Sequence, residues 1–430
     1  MTGKTTRKGA WTVTVLLFFF MMINFADKGI VGLAGVPIMN ELHLTPQQFG
    51  LIGSSFFLLF SVSAVVTGFL ADRIASKWLL LAMGLIWALA QFPMAGAVGL
   101  GTLMACRVAL GAGEGPAYPV ALHAVYKWFP DDKRPLPGAV IAQGSAIGGI
   151  VSFPALNWVI THHSWHMAFA ALGVAGLIWA AVWALLGREG TIGDLRATPG
   201  AEAAEGRIAY RHLLLNGTNI ASWCAYFGAY FGLALALTWF TPYLISALGF
   251  SQEAAGELTA VALIAGVFVI LGGSWLSQRL MHRGASSRIA RGMFSGIAIC
   301  AGGVALMFLP HVAAVAAKVA LATLGVALPS IVFTLSPAIL AEITPSSQRG
   351  AILAINSAVG TSAGVIAPYV MGSVIQGAVS AAAGYSEGFL ICGMVMIVGG
   401  LIGLAFLRPE SQRARYSALR DLISPQASAS

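Results

Sequence analysis

Apolar runs of 18 or more residues recur from one end of this 430-residue chain to the other, and they restrict its fold more than any other feature. Each run is long enough to cross the hydrocarbon core of a bilayer as a helix. Because no water reaches backbone groups there, a spanning chain has to form helices or a closed barrel. The runs are too continuously apolar for barrel strands, whose side chains alternate. The sequence therefore predicts an all-α polytopic membrane protein.

Twelve transmembrane helices are predicted from these runs. The first is interpreted as an uncleaved span and not as a signal peptide, since no small-residue cleavage site follows it. The predicted spans cover residues 11–39, 47–71, 78–98, 100–128, 135–161, 165–187, 212–248, 251–279, 288–310, 312–341, 346–378 and 384–407.

Charged residues make up 9% of the chain, against roughly 25% in soluble domains, and the net charge is +8. Of the 24 lysines and arginines, 21 fall at the tails, at alternate loops or at the adjoining helix ends, which the positive-inside rule assigns to the cytoplasm. The basic balance therefore reflects topology and gives no reason to expect a nucleic-acid partner. We predict a multi-pass protein of a bacterial inner (plasma) membrane with both termini cytoplasmic.

Two sequence matches indicate an internal duplication. "GAVIAQGSAIG" (Gly138–Gly148) shares six of eleven residues with "GAILAINSAVG" (Gly350–Gly360), 212 positions later, and "LADR" matches "LSQR" 206 positions later. Two nearly equal offsets close to half the length favour two copies of one unit in the same orientation. We predict a six-helix half at 1–187, a cytoplasmic linker at 188–211, a second six-helix half at 212–410 and a cytoplasmic tail at 411–430.

The loop "GFLADRIASK" (Gly68–Lys77) resembles the signature loop of the major facilitator superfamily, with Asp72 and Arg73 in its pattern and Ala75 in place of a usual glycine. The strings "NFADKG", "RVALGAGEGPAYP", "LTWFTPYL" and "QRGAILAINSAVG" together resemble the anion:cation symporter family within it. The resemblance covers about residues 11–407. It implies the major facilitator fold, two pseudo-symmetric halves, and a gating role for Asp72 and Arg73 in latching those halves.

Four ionisable residues lie deep in predicted spans: Asp27 and Lys28 in the first, and Arg107 and Glu114 in the fourth. A charge at the bilayer centre costs roughly 2.5–3.5 kcal/mol on insertion scales, so such residues usually face a bundle interior or a wet cavity. Pairing that only fixes helix packing is the alternative explanation, although a buried ion pair stabilises poorly compared with apolar packing.

These four charges sum to zero when both acids are ionised, which suggests a coupling mechanism. Protonating either acid leaves one positive charge without a partner, and an organic anion would restore neutrality. Arg107 and Glu114 are seven residues apart, close to two helical turns, so they share a face with about 10.5 Å between them along the axis. That spacing leaves room for substrate or for partners on the first span. Gly111 and Gly115 on the same helix form a GxxxG face that permits close approach of a neighbouring helix.

The family resemblance implies roles for the same four residues. Asp27 and Glu114 match acids that take up protons, and Arg107 matches an arginine associated with the substrate carboxylate. Lys28 stands where the family usually has arginine, and an ammonium lacks the bidentate geometry of a guanidinium. Both contact with the anion and pairing with Asp27 therefore remain open for Lys28.

Further polar and aromatic residues are candidate substrate contacts, with helix packing as the alternative for each. The set lies in the two matched repeat segments and in the seventh span, and consists of Gln143, Ser145, Asn356, Ser357, Tyr226, Tyr230 and Trp239.

Three positions depart from the polar residues common in the family: Phe25, Phe60 and Ala64. Loss of these polar groups favours a small or aromatic carboxylate over a sugar acid, whose hydroxyls would lack partners.

Together these features predict a secondary transporter that imports a carboxylate with protons by alternating access, and not an enzyme. A proton-driven exporter, an anion exchanger and, more remotely, a non-transporting receptor are the alternatives. We expect the partners to be the anion, protons and the bilayer, the protein to be monomeric, and no cofactor or metal to be needed, since the chain has no catalytic or metal-ligand spacing.

Overall fold

The computed structural model describes residues 2–71, 73–130, 133–190 and 208–423, and this part of the chain is helical, without strands. The described residues up to Gly190 form nine α-helices: α1 (Thr2–Leu33), α2 (Gly35–Glu41), α3 (Pro46–Leu58), α4 (Phe60–Ala71), α5 (Ser76–Gln91), α6 (Leu100–Glu114), α7 (Ala117–Tyr126), α8 (Pro135–His162) and α9 (Trp165–Leu186).

The described residues from Ile208 to Ile423 form ten α-helices and one π-helical turn at Arg288–Met293. The helices are α10 (Tyr210–Leu214), α11 (Gly217–Ser246), α12 (Gln252–His282), α13 (Phe294–Phe308), α14 (Val315–Ala327), α15 (Val332–Ile343), α16 (Ser346–Thr361), α17 (Ala363–Gly377), α18 (Ala381–Phe406) and α19 (Pro409–Ile423).

Eleven helical stretches in the described part of the chain are long and apolar enough to cross a membrane. In the second, tenth and eleventh predicted spans, two α-helices are joined through a single residue or a 3₁₀ turn. The predicted fourth span is not among the eleven stretches, because Gly115 and Pro116 separate α6 from α7. Proline has no backbone N–H and its ring crowds the preceding turn, so a continuous helix is interrupted there. The prediction of an all-α membrane protein is confirmed, with the fourth span built from two shorter helices.

The chain separates into two compact units. One comprises Met1–Leu195, Ala234–Ile264 and Gly364–Gly388, and the other comprises Arg196–Leu233, Ala265–Ala363 and Phe389–Ser430. The predicted division into repeat halves at 1–187 and 212–410 remains a prediction. Most of the predicted linker, residues 191–207, lies outside the described residues.

In the first unit, α1 packs along α8 through small residues. A Cβ on Gly144 would meet the carbonyl oxygen of Phe18, and one on Gly148 would meet the backbone of Met22. On another side of α1, the ring of Phe20 stacks on Trp87 at 4.3 Å between centroids. These contacts fix the helix that carries Asp27 and Lys28.

In the second unit, an apolar cluster joins α10, α15, α16 and α19. Its buried members are Ile208, Leu213, Leu340, Ile343, Ile352 and Tyr416. The Tyr416 hydroxyl also donates to the carbonyl oxygen of His212 at 3.0 Å, so the C-terminal helix is anchored to the start of this unit.

Candidate functional site

The break after α6 places Glu114 at the last residue of that helix, two turns beyond Arg107. Both side chains are buried, with 1% and 2% exposure respectively. They face α1, where Asp27 is equally buried. The four charged residues predicted from the sequence are therefore brought together within the first unit, on α1 and α6.

The GxxxG face of α6 brings the second span against the same place. A Cβ on Gly111 would overlap the carbonyl oxygen of Phe56, and one on Gly115 would overlap that of Phe60. Only glycine permits so close an approach of two backbones. The predicted close contact is confirmed, and it sets the rings of Phe56 and Phe60 beside the charges.

Arg107 is held by main chain and by an aromatic ring. Its Nη1 donates to the backbone carbonyl oxygen of Asp27 at 3.0 Å, and its guanidinium carbon lies 4.4 Å from the centroid of the Phe56 ring. Within the described part of the chain, no ion pair joins Arg107 to a carboxylate within 4.0 Å. Arg107 therefore stabilises the ionised carboxylates through longer-range electrostatic attraction and not through a direct ion pair.

The Asp27 carboxylate is held by an amide from the third span. Its Oδ1 accepts from Gln91 Nε2 at 2.7 Å, while its Oδ2 is buried and has no hydrogen-bond partner among the described residues. An unpaired carboxylate oxygen in a dry interior is costly when charged, and a proton on it removes that cost.

A second amide connects the other two charges. Asn24 Nδ2 donates to Glu114 Oε2 at 3.2 Å, and Lys28 Nζ donates to Asn24 Oδ1 at 2.8 Å. The direct distance from Lys28 Nζ to Glu114 Oε2 is 3.9 Å, so the asparagine is the main link between them. Glu114 Oε1, like Asp27 Oδ2, is buried without a partner among the described residues.

Lys28 differs from the other three charges in its accessibility. Its side chain is 16% exposed, and its Nζ lies 5.2 Å from the centroid of the half-buried Phe60 ring. The geometry therefore favours pairing of Lys28 with Asn24 and Glu114 over pairing with Asp27, and Lys28 has the most exposed side chain of the four.

Two members of this network were not predicted from the sequence, Asn24 and Gln91. The available signal was a neutral amide inside an apolar run, with Asn24 one helical turn before Lys28 and on the same face. Which amide meets which carboxylate depends on the rotation of each helix about its axis, and the sequence of one helix does not specify this.

The other predicted contacts of the first unit lie apart from these bonds. Gln143 is exposed and Ser145 half-buried on α8. Trp239 is fully buried, with Nε1 donating to the Pro368 carbonyl oxygen at 2.9 Å and its ring 5.1 Å from that of Phe49. This arrangement of Trp239 is a packing contact.

The remaining predicted contacts belong to the second unit. The rings of Tyr226 and Tyr230 are parallel, 6.4 Å apart, and the Tyr226 hydroxyl is hydrogen-bonded to the exposed Ser357. Asn356 is buried, and its Oδ1 accepts from Ser222 at 3.2 Å and from Ser336 at 3.3 Å. These contacts of Asn356 hold three helices together, which is the helix-packing role stated above as the alternative to substrate binding.

Of the predicted gating pair, Arg73 is exposed, and Asp72 lies outside the described residues.

These helices and charges define a membrane transporter of twelve predicted spans with an ion network in its first unit. Residues 17–368 match the Major Facilitator Superfamily, so the chain belongs to that family. The prediction of a transporter with the major facilitator fold is thereby confirmed.

Similar proteins carry organic anions. The chain is 27% identical to a hexuronate transporter of Bacillus subtilis (strain 168), over 92% of this chain and 94% of that protein. It is 28% identical to a probable sulfoacetate transporter of Cupriavidus necator, over 94% of each. It is 24% identical to a D-galactonate transporter of Escherichia coli O6:H1, over 90% and 93%.

Solved structures share the fold. A bacterial homologue of the human lysosomal transporter Spinster superposes with a TM-score of 0.78 at 18% identity, covering 95% of this chain and 98% of that one. A D-xylose-proton symporter superposes with a TM-score of 0.75 at 14% identity, covering 94% and 99%.

Proposed function

We propose that this transporter imports an organic anion together with protons by alternating access. The observation that carries the proposal is the network of two cations and two carboxylates in which each carboxylate keeps one buried oxygen unbonded. Such an oxygen is a ready site for a proton, because protonation removes an incompletely solvated charge. Organic-anion transport by the relatives supports the substrate class.

Coupling follows from charge balance within this network. A proton on Glu114 removes the negative charge 3.9 Å from Lys28 Nζ, while the hydrogen bond from Lys28 to the neutral Asn24 remains. An anion at the exposed part of Lys28 restores neutrality. When Glu114 loses its proton, the internal counter-charge returns and the anion is released. Proton and anion therefore move together.

The roles within the cycle differ between the two cations. Lys28 contacts the anion, because its side chain is the most exposed of the four. Arg107, stacked on Phe56 and bonded to main chain, holds the positive potential in place. Asp27 is the second proton site, positioned by Gln91.

Proteoliposome uptake tests this cycle. Purified protein would be assayed with a panel of radiolabelled carboxylates and sulfonates under an imposed inward proton gradient, and again with the gradient reversed. We expect accumulation only with the inward gradient. Glu114→Gln should abolish gradient-driven accumulation while exchange of internal for external anion persists. The exposed Glu387→Gln is the matched control and should accumulate anion like the wild type. Accumulation by Glu114→Gln at the wild-type level would refute the proton role of Glu114.

The membrane orientation belongs to the same proposal. We place both termini in the cytoplasm of a bacterial inner membrane, because the basic residues concentrate on that set of loops. We further propose that the monomer is the working unit. Labelling of single cysteines, introduced into a cysteine-free version, with a membrane-impermeant reagent tests the orientation.

A further inference from the structure

Each cation of the network lies over the face of a phenyl ring from the second span. Arg107 lies over Phe56 at 4.4 Å and Lys28 lies over Phe60 at 5.2 Å. Phe56 is fully buried, whereas Phe60 is half-buried and adjoins Phe57 at 6.0 Å between ring centroids. The accessible cation is therefore paired with an accessible apolar surface.

The neutral polar side chains around this place are bonded within the protein. Asn24 links Lys28 to Glu114 through both of its amide atoms, and Gln91 Nε2 donates to Asp27. On the second span, Ser63 Oγ donates to the carbonyl oxygen of Phe60 at 3.0 Å. Three polar atoms of the network, Gln91 Oε1, Asp27 Oδ2 and Glu114 Oε1, have no partner among the described residues, but all three are buried, so they do not reach a substrate hydroxyl at the exposed part of Lys28.

The position of a bound anion follows from these two observations. With its charged group on the Lys28 ammonium, the next carbon atom of the substrate lies against the Phe60 ring. A hydroxyl on that carbon would give up its hydrogen bonds to water and meet a phenyl face in return, which disfavours binding. An apolar carbon at the same position has no hydrogen bonds to water to lose, and burying its surface against the ring is favourable.

We infer that this transporter selects organic acids with no hydroxyl on the carbon beside the charged group, such as arylacetates and simple alkyl acids, and discriminates against polyhydroxylated acids. The inference rests on the proposed function, because it names the substrate class of the same site. It separates this chain from relatives named for hexuronate and galactonate, which are acids with hydroxyls along the carbon chain.

Matched acid pairs test the selectivity. Phenylacetate and mandelate differ by one hydroxyl beside the carboxylate, and propionate and lactate differ in the same way. Competition by each acid against uptake of radiolabelled phenylacetate would be measured in proteoliposomes, with galactonate as the polyhydroxylated probe. We expect the half-inhibitory concentration to be about tenfold or more lower for the member of each pair without the hydroxyl, and weak competition by galactonate.

A substitution at the ring assigns the effect to Phe60. Phe60→Tyr supplies a hydroxyl to the apolar surface, and the ratio of the half-inhibitory concentration of mandelate to that of phenylacetate should fall by about tenfold. Phe19→Tyr is the matched control, since Phe19 lies on α1 with 48% exposure and should leave the ratio unchanged. Phe60→Leu keeps the surface apolar and should preserve the ratio.

The outcomes separate the inference from the proposed function. Equal competition within both pairs, or stronger competition by galactonate, would overturn the inference while leaving anion transport intact. The same ratio in Phe60→Tyr as in Phe19→Tyr would also overturn it. Failure of the wild type to accumulate any of the panel anions under either gradient would overturn the proposed function, and the inference with it.

Discussion

Arg107 bonds to the backbone of Asp27 and not to its carboxylate. The guanidinium donates to the carbonyl oxygen at 3.0 Å, while the carboxylate accepts from Gln91 at 2.7 Å. The arginine can therefore keep its position when the carboxylate gains or loses a proton. A fixed cation beside a titrating acid is suited to a cycle in which only one of the two charges changes.

The first prediction concerns the energetic link between these two charges. Arg107→Met leaves the buried Asp27 carboxylate without its counter-charge and should destabilise the protein by about 3 kcal/mol. In the double variant with Asp27→Asn, both charges are removed, so the loss should be smaller than in Arg107→Met alone. Thermal unfolding of the wild type, the two single variants and the double variant in detergent gives the interaction free energy between the two residues. Destabilisations that simply add would show that the two residues do not interact.

The second prediction concerns the asparagine bridge. Asn24→Leu keeps the branched shape and the number of side-chain non-hydrogen atoms but removes both hydrogen bonds, and we expect gradient-driven anion uptake to fall about tenfold because Glu114 and Lys28 lose their shared partner. Asn219→Leu is the matched control, since Asn219 is an equally buried amide in the second unit. The control should lose stability but retain uptake per folded molecule. Equal uptake by Asn24→Leu and Asn219→Leu would contradict a bridging role.

The third prediction concerns the close contact between the second and fourth spans. A Cβ at Gly111 has no room beside the Phe56 carbonyl, so Gly111→Ala should destabilise the protein by about 1–3 kcal/mol. Gly101 lies on the same helix with open space around it, and Gly101→Ala should change stability by less than about 1 kcal/mol. Unfolding midpoints in one detergent compare the two. A similar midpoint for both variants would mean that the helices can separate freely.

The sequence was sufficient for the spans and for the four charges, because both depend on what a bilayer tolerates at each position. Hydrophobic length predicted the helices, although the fourth span forms two helices at Gly115 and Pro116. The cost of charge in lipid identified Asp27, Lys28, Arg107 and Glu114.

The hydrogen bonds between helices could not be predicted in the same way. Asn24 and Gln91 were missed because pairing depends on the rotation and depth of separate helices. For Trp239 the sequence left both a substrate contact and helix packing open, and in the structure its ring lies against Phe49 while its Nε1 donates to the Pro368 carbonyl oxygen. An aromatic residue in an apolar helix has the same sequence signature whether it lines a substrate site or packs between helices. Only the three-dimensional arrangement distinguishes the two.

The last prediction concerns Glu189, which follows α9 and caps the start of α5. Its carboxylate accepts from Lys127 Nζ at 2.6 Å and from the backbone N–H groups of Ser76 and Lys77 at 3.3 and 3.1 Å. Partial burial raises the pKa of Glu189, but these hydrogen bonds and the Lys127 charge outweigh it, so the pKa is lower than that of an ordinary glutamate.

A lowered pKa in the folded protein means that the ionised carboxylate stabilises the fold above the unfolded-state pKa. This contribution is lost as the pH falls through the folded-state pKa. The unfolding midpoint of the wild type should therefore exceed that of Glu189→Gln by about 1–3 °C at pH 7. The difference should shrink steadily as the pH is lowered towards the acid range. Glu387→Gln, which removes an exposed carboxylate, should show little difference at any pH. A gap between the wild type and Glu189→Gln that widens on acidification would contradict the assigned role, because the sign of the pKa shift would then be wrong.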